Sequence, residues 1–308
     1  MDDAVASVRA FNRFFTRHVG ALNPDFLGTT LTLAEARLLF EIAQAEGVVA
    51  SDLQAALDMD AGFVSRMLRR FEARRWIVRA RSEGDGRRRP ISLTPEGRLM
   101  FEDLDRRQRA RVEAVLERLS PSQRNDLAAA LSTARLLMGD RSTRGFTLRT
   151  FRPGDAGMIA ARQSILYREV YGWGPQIEVI EGEVTAAFIR DFKPGREQCW
   201  VAEIDGAMVG SVFLTDEGDG LSRLRLLYVE PTGRGLGIGD ALVSTCLAFA
   251  RAAGYRAITL WTHTVLESAR RIYAAHGFNI VDVHVHDQFG EPVQGETWRL
   301  DLLEGSIA

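Results

Sequence analysis

Residues 224–242 carry the feature that most constrains this chain, an apolar run that leads into a glycine-rich turn and then a helical pattern. The apolar run suits a buried strand, and Pro231 stops further strand pairing. Gly235, Gly237 and Gly239 follow at once, before apolar residues at helical spacing. A glycine-rich turn that opens a helix leaves backbone N–H groups free to approach an anion. This stretch therefore predicts a phosphate-binding turn.

Known kinds of phosphate-binding turn differ from one another in residue order. A P-loop places Gly-Lys-Ser/Thr at the start of the helix, whereas this chain has Ile238-Gly239-Asp240 there and a single lysine, Lys193. A dinucleotide-binding fold spaces its glycines as G-x-G-x-x-G, whereas here they stand as G-x-G-x-G. The run from Arg234 to Gly239 resembles instead the R/Q-x-x-G-x-G/A acetyl-CoA loop of GNAT N-acetyltransferases.

The resemblance implies that acetyl-CoA is a co-substrate and that the loop holds its pyrophosphate. In the family, the pantetheine enters a splay between the fourth and fifth strands and pairs with strand backbone. The residues expected to bind acetyl-CoA are Leu227, Tyr228, Val229, Arg234, Gly235, Leu236, Gly237, Ile238, Gly239 and Asp240.

Length and charge indicate two domains with different partners. A chain of 308 residues favours two domains of roughly 150 residues each. Residues 1–144 hold 24 arginines against 20 acidic residues, whereas residues 145–308 hold 15 basic against 21 acidic residues. Such an asymmetry suggests a different partner for each half.

Targeting and redox signals favour a cytoplasmic protein. No apolar run approaches the roughly 18 residues of a membrane span, and the acidic N-terminus lacks the apolar segment of a signal peptide. Cys199 and Cys246 are the only cysteines and stand far apart, which suggests neither a disulfide framework nor a zinc knuckle.

The first half predicts a helix-turn-helix. Thr32 with Glu35 forms a capping box before one helix, and Asp60 caps another helix over residues 61–73. One face of that last helix is apolar, and the other is polar and basic, which suits entry into a major groove. A solvated basic face is the plain alternative.

Two short strands, residues 76–79 and 91–93, flank the arginine-dense turn SEGDGRRRP, and the sequence LTPEG then begins a long helix. This order resembles the MarR winged-helix repressors over residues 1–138, with Arg75-Trp76 where the family usually has a glycine turn. Arginines on such a wing can enter the minor groove. The residues expected to bind double-stranded DNA are Ser65, Arg66, Arg69, Arg70, Arg87, Arg88 and Arg89.

Helices over residues 95–119 and 120–138 complete the first half, and in MarR proteins the terminal helices form a homodimer interface. An internally packed helical hairpin or a helical linker is the alternative. We expect a MarR-like DNA-binding and dimerisation domain over residues 1–138, a linker over 139–145, and a GNAT domain over 146–308.

The second half reads as strand 146–151, two helices, and then strands 198–204 and 208–215 around the turn Asp205-Gly206. The strand, loop and helix of residues 224–242 follow, and a helix and three more strands end the chain. This order resembles GNAT over residues 146–302. The predicted fold class is thus a mainly-α winged helix-turn-helix domain followed by an α+β domain with a mixed, mostly antiparallel twisted sheet flanked by helices.

Acetyl transfer to an amine requires a proton for the departing thiolate. Tyr273, in SARRIYAAHGF, matches the A-x-x-x-Y-x-x-x-G-F segment of the family, whose tyrosine typically protonates that thiolate. The resemblance therefore makes Tyr273 the expected catalytic residue, and packing between helix and sheet is the structural alternative.

The remaining polar and aromatic candidates are less specific. Glu203 and His263 are possible bases, and none is selected. The segment YREVYGW suggests acceptor-binding roles for Tyr167, Tyr171 and Trp173, although all three can equally belong to the core. His284, His286 and Asp287 supply too few ligands for zinc, so no metal is predicted.

The sequence therefore predicts a bifunctional protein, an acetyl-CoA-dependent N-acetyltransferase acting on a primary amine and fused to a homodimeric MarR-type transcriptional regulator. Two alternatives stay open. The second half can act only as a sensor of acetyl-CoA for a regulator, or the winged helix can serve only for dimerisation of an enzyme. The identity of the acceptor amine is not readable from the residues.

Overall fold

A computed structural model describes residues 1–80, 89–140 and 145–302. The chain divides into two compact units, Met1–Ser120 and Pro121–Ala308. Arg87 and Arg88, most of the predicted wing, and residues 141–144 of the predicted linker lie outside the described residues. Across the described part of the chain, no helix combines the length and apolar character needed to cross a membrane.

The first unit is helical with a two-stranded antiparallel ribbon. Its elements are α1 (Asp2–His18), α2 (Leu33–Gln44), α3 (Ala50–Leu57), α4 (Ala61–Ala73), β1 (Ile77–Arg79), β2 (Ile91–Leu93) and α5 (Pro95–Leu116). The predicted capping box of Thr32 with Glu35 is present, and the Asp60 carboxylate accepts from the Phe63 N–H. Buried side chains of α2 and α4, such as Leu38, Leu39 and Phe71, form the core.

The predicted helix-turn-helix is present. Asp58, at the end of α3, adopts a left-handed φ of 49°, which turns the chain into α4. Arg75 has φ of 60° in the tight exit from α4, the position where the sequence departs from the expected glycine. A non-glycine residue in that region costs of order 1 kcal/mol, so the turn forms here despite a local penalty.

The second unit contains a seven-stranded sheet in the order β3-β4-β5-β6-β7-β9-β8, with helices packed against it. Every pairing is antiparallel except that of β6 with β7, which confirms the predicted mixed, mostly antiparallel sheet. Its elements are α6 (Pro121–Leu137), β3 (Thr147–Thr150), α7 (Asp155–Tyr171), α8 (Gln176–Arg190), β4 (Gln198–Ile204), β5 (Ala207–Gly218), β6 (Leu221–Val229), α9 (Ile238–Ala252), β7 (Ala257–His263), α10 (Glu267–Ala275), β8 (Asn279–His286) and β9 (Val293–Asp301).

Helix α6 belongs to the second unit, whereas the sequence groups it with the first. The Ser132 hydroxyl donates to the Asp205 carbonyl at 2.7 Å, and Leu136 packs against the core of the sheet. Contacts of this helix with β5 thus move the division of the chain to Ser120–Pro121. The domain boundaries 1–138, 139–145 and 146–308 stay a prediction.

The pairing of β6 with β7 is short. It covers Leu221–Leu224 against Ala257–Leu260, and the following residues of the two strands have no partners on each other. On the other side of β6, the register with β5 shifts between Arg225 and Tyr228, where Leu226 takes a left-handed φ of 49°. A bulge of this kind bends a strand and redirects its side chains, so β6 leaves β7 and opens the sheet.

Candidate functional site

A cavity of about 530 Å³ occupies the place where β6 and β7 part. The wall on one side comes from residues 223–229 of β6 and the other from Trp261, Thr262 and His263 of β7. Residues of α7, α8, the glycine-rich turn, α9 and α10 complete the lining. The splay that the family resemblance implies between the fourth and fifth strands of this sheet is therefore present.

The glycine-rich turn lines part of this cavity. Gly235 and Gly237 have φ of 79° and 77°, which side chains other than glycine rarely adopt, and α9 begins at Ile238. A Cβ on Gly239 would stand 2.7 Å from Ile272 Cδ1 and one on Gly233 would stand 3.0 Å from Ile238 Cδ1. The turn is therefore a cradle shaped by the absence of side chains, with the first N–H groups of α9 at its edge.

Nine of the ten residues expected to bind acetyl-CoA line the cavity, and Leu236 does not. Leu236 is 40% exposed. The lining members are Leu227, Tyr228, Val229, Arg234, Gly235, Gly237, Ile238, Gly239 and Asp240. Their convergence on one cavity agrees with the prediction, and their individual roles stay predictions.

Asp240 and Arg234 bring opposite charges to the turn. The Asp240 carboxylate lies 2.9 Å from His276 Nε2, on the first turn of α9. An anion at this helix start would be repelled by that carboxylate, so Asp240 can favour a phosphate only through its backbone N–H. Arg234 is exposed and makes no ion pair with a described residue, which leaves its guanidinium available to an anion.

Tyr273 lies on α10 and lines the same cavity, with only 4% of its surface exposed. Its ring packs at 5.9 Å from Phe278 and 6.2 Å from Trp298. Burial raises the pKa of the phenol above its usual value, so the hydroxyl is protonated at neutral pH. The residue is thus both packed in the core and able to hold a proton at the cavity wall.

The three aromatic residues of the YREVYGW segment form one group, called here the aromatic cluster: Tyr167, Tyr171 and Trp173. The Trp173 ring lies 4.7 Å from that of Tyr167 and 5.5 Å from that of Tyr171, and all three residues line the cavity. Phe289 stacks on the other side of Trp173 at 4.5 Å. The cluster is therefore part of the wall of the cavity.

Of the two possible bases, only His263 lies at the cavity. Glu203 is held by Arg149 at 2.7 Å in the β3–β4 pair and does not line it. Burial, together with His286 and His284, lowers the pKa of His263 to about 4, and its Nε2 lies 2.9 Å from Nε2 of His286. The imidazole is therefore neutral at pH 7 and only a weak base. Among the described residues, no three metal-binding side chains are placed to hold a metal ion.

Glu181 is the chemically important residue that the sequence reading missed. It lines the cavity from α8 and is 1% exposed, and its Oε2 accepts from the Ser164 hydroxyl at 3.3 Å. Burial raises the pKa of this carboxyl to about 9. Helical spacing in the sequence could have indicated its burial, because Ile177, Glu181 and Thr185 lie on the same buried face of α8.

The predicted DNA-contacting face of α4 is exposed in part. Arg66 and Arg69 are exposed, Ser65 is half-buried, and Arg70 forms an ion pair at 2.7 Å with the buried Glu35. Arg70 therefore also holds α4 to α2. Arg89 is exposed beside the wing residues that lie outside the described part.

Comparisons with known proteins agree with both halves. Residues 195–280 match the acetyltransferase (GNAT) domain, and residues 29–88 match the MarR family. A rat protein, N-acetyltransferase 8, is 37% identical over 101 residues, which are 31% of this chain and 44% of that protein. N-acetylaspartate synthetase from Xenopus tropicalis is 38% identical over 88 residues, 28% of this chain and 32% of that protein.

This chain thus spans less than half the length of these curated relatives. The crystal structure of an N-acetyltransferase from Staphylococcus aureus Mu50 aligns with a TM-score of 0.43 and 19% identity, over 52% of this chain and all of that one.

Replacement of Glu181 by Gln tests the buried carboxyl independently of any activity. The folded chain holds the carboxyl proton up to about pH 9, whereas an unfolded carboxyl releases it near the usual 4.5. Unfolding therefore releases a proton in this window, and the free energy of unfolding falls as pH rises from 4.5 towards 9. We expect Glu181→Gln to raise it by up to about 5 kcal/mol at pH 8, at about 1.4 kcal/mol per pH unit above 4.5, and to change it little at pH 4.5.

Urea unfolding followed by tryptophan fluorescence measures this effect, because four of the five tryptophans lie in the second unit. Glu178→Gln, at an exposed position one turn earlier on α8, is the matched control. Equal pH dependence in wild type and Glu181→Gln would show that Glu181 is ionised in the folded protein.

Proposed function

We propose that this chain, which joins a MarR-family segment to a GNAT domain, is an acetyl-CoA-dependent N-acetyltransferase that acts on a primary amine and also binds DNA. The glycine cradle carries the first proposal, because it opens onto the same cavity as the parted strands and Tyr273. A helix start with free N–H groups and a nearby arginine suits a pyrophosphate. The stretch of β6 after Leu224, which does not pair with β7, suits the amides of a pantetheine arm.

Acetyl-CoA supplies the acetyl thioester in this proposal, and the residues of the chain bind it and manage protons. The turn from Arg234 to Asp240 holds the pyrophosphate, and Leu227, Tyr228 and Val229 offer backbone N–H and C=O groups. Tyr273 holds a proton at the cavity and gives it to the leaving sulfur. A phenol whose pKa is raised is a weaker acid, so this donation assists most when the thiolate is itself desolvated.

Replacement of Gly237 by Ala tests the cradle. Gly195 has almost the same φ, 78° against 77°, but lies in a turn that does not line the cavity. Both alanine variants carry similar backbone strain, of order 1 kcal/mol, and only Gly237→Ala also alters the cradle. We expect isothermal titration calorimetry to show acetyl-CoA binding at least ~10-fold weaker for Gly237→Ala and unchanged for Gly195→Ala. Equal affinities in the two variants would remove the cradle from the binding site.

Replacement of Tyr273 by Phe tests the chemical step. We expect kcat, measured by acetyl-CoA-dependent thiol release over a panel of amines, to fall by about 10- to 100-fold while acetyl-CoA affinity is retained. Tyr255→Phe is the control, because that hydroxyl bonds the Arg196 carbonyl outside the cavity. Thiol release that no amine stimulates in the wild type, together with retained acetyl-CoA binding, would favour the sensor alternative.

The DNA-binding half of the proposal is supported by the exposed basic face of α4 at the end of a helix-turn-helix. Homodimerisation is supported by α1, none of whose residues is buried in the chain. Val5, Val8, Phe11, Phe14 and Phe15 are between 45% and 54% exposed. A contiguous apolar helix face of this kind marks an interaction site, and a second copy would cover it and place two α4 helices on one DNA duplex.

Paired replacement of Arg66 and Arg69 by Ala tests the DNA interface. The probe is the fragment directly upstream of the coding sequence, and a random duplex of equal length gives the non-specific background. We expect affinity to fall at least ~10-fold and the slope of log K against log salt to become shallower by about 2, since each lost phosphate contact removes about 0.9.

Arg106→Ala, on the exposed surface of α5 where Arg106 pairs with Asp103, is the control for that pair of substitutions. Footprinting of the wild type should protect two half-sites about 10 base pairs apart. Affinity for the upstream fragment no higher than for random DNA at moderate salt would support the alternative in which the winged helix serves only dimerisation.

A further inference from the structure

Glu181 is a buried carboxyl that forms no ion pair with any described residue. One carboxylate oxygen accepts from the Ser164 hydroxyl at 3.3 Å, and the other, Oε1, is buried and has no hydrogen-bond partner. An unpaired buried acid destabilises a fold unless it is neutral or receives a charge partner. Because Glu181 lines the cavity, that partner can come from a ligand.

Three arginines on the neighbouring α7 and β6 pair with other carboxylates. Arg162 donates to both carboxylate oxygens of Glu230 at 2.8 and 3.0 Å. Arg223 and Arg225 lie 3.5 and 3.0 Å from the same Glu217 carboxylate oxygen. No described basic side chain forms an ion pair with Glu181, and the buried groups that face it are the hydroxyls of Ser164, Tyr167 and Tyr228.

The aromatic cluster lines the same cavity as this carboxyl. The pKa of Tyr167 is raised by its burial and also by the Glu181 charge. The Tyr167 hydroxyl accepts from Gln163 at 2.8 Å, so its position is set by the protein. Ile177, one turn before Glu181 on α8, packs with Trp173 and Phe289. A carboxyl and a wall of aromatic rings therefore face one space.

The size of the cavity limits what can fill that space. Its volume of about 530 Å³ includes the region of the glycine cradle and Tyr273. The part beside Glu181 therefore has room for a small molecule only. Flat apolar groups pack well against aromatic rings, and a cation gains from their faces as well.

We propose that Glu181 and the aromatic cluster form the acceptor site, and that the acceptor is a small primary amine on a flat apolar body, with its nitrogen beside the Glu181 carboxyl. This inference rests on the proposed acetyltransferase function and names the substrate class of the same site.

The protons of the reaction balance with this arrangement. At neutral pH the empty site holds Glu181 protonated and the amine arrives as ammonium, so formation of the pair releases one proton to solvent. The carboxylate takes one proton from the ammonium and leaves a neutral amine. The nitrogen then bonds the acetyl carbon as the carbon–sulfur bond breaks, and Tyr273 gives its proton to the sulfur. The surplus proton of the new amide nitrogen restores the Tyr273 hydroxyl.

Steady-state thiol release with three probes tests the acceptor class. 2-Phenylethylamine has a flat apolar body, putrescine has a second charge in its place, and a lysine-containing peptide has a bulky backbone. We expect kcat/KM for 2-phenylethylamine to exceed that of the other two by at least ~10-fold. A preference for the peptide or for putrescine would overturn the proposal.

Glu181→Gln tests the residue itself. We expect kcat/KM for 2-phenylethylamine to fall at least ~100-fold, with acetyl-CoA affinity unchanged within about twofold. Glu181→Asp should recover part of the loss, and Glu178→Gln should leave the rate unchanged. A Glu181→Gln enzyme with wild-type kcat/KM would overturn the proposal while leaving the acetyltransferase function intact.

The number of protons released on amine binding shows whether Glu181 forms an ion pair with the amine or has only a structural role. Calorimetric titration of 2-phenylethylamine into the protein with CoA at pH 7, in two buffers of different ionisation enthalpy, should show about one proton released by the wild type and none by Glu181→Gln. Binding without proton release in the wild type would overturn the proposal. Failure of the proposed function looks different, because the wild type would then bind no acetyl-CoA or release no thiol with any amine.

Discussion

The parting of β6 from β7 is the constraint on which the rest of the second unit depends. Pairing ends at Leu224–Leu260 because the bulge at Leu226 bends β6 away. A parallel pair that continued would satisfy its own backbone groups and leave no cavity. The backbone of β6 and β7 that is open to the cavity results from this interruption, and the positive φ of Leu226 is its local energetic cost.

Glu181 likewise lowers the stability of the fold at a position that lines the cavity, and here the cause is electrostatic. A carboxyl on the buried face of α8 costs the folded chain free energy at neutral pH, where glutamine at the same position would fit with a similar shape. Groups of this kind persist where a ligand supplies the missing charge. The cost also makes ligand binding selective, because only a cationic ligand can stabilise the ionised form of this carboxyl.

Much of this architecture was predictable from residue patterns that carry their own physical cause. Glycines before an apolar helix indicate a turn with free N–H groups, and Thr32 with Glu35 indicates a helix start. Both patterns are readable because the interactions that cause them join residues only a few positions apart. The side of the cavity formed by Leu227–Val229 and the turn was therefore predictable. Residues of α7 and α8 were less so, since periodicity cannot tell which buried face borders a cavity and which borders the core.

Other features depended on contacts distant in sequence. Arg70 looks like one more basic residue on an exposed helix face, and only the packing of α4 on α2 brings it to Glu35. Helix α6 has an amphipathic pattern that suits either neighbour, and the bond from Ser132 to the Asp205 carbonyl, 73 residues away, decides for the sheet. Burial of Glu181 likewise arises only when α7 and α8 pack together.

The two proposed anion-binding surfaces would attract their ligands in different ways, and their responses to salt and pH would therefore differ. Exposed arginines on α4 act through long-range attraction that salt screens within about 10 Å at 0.1 M. The glycine cradle acts through directed N–H groups at a helix start, and the Glu181 site through a buried proton, so both are screened much less. Salt concentration would therefore act chiefly on the proposed DNA surface, whereas pH between about 4.5 and 9 would act chiefly on the proposed acceptor site at Glu181. Any coupling between the units would appear as an effect of acetyl-CoA on the salt-dependent binding at fixed pH, and by linkage as an equal effect of DNA on acetyl-CoA affinity.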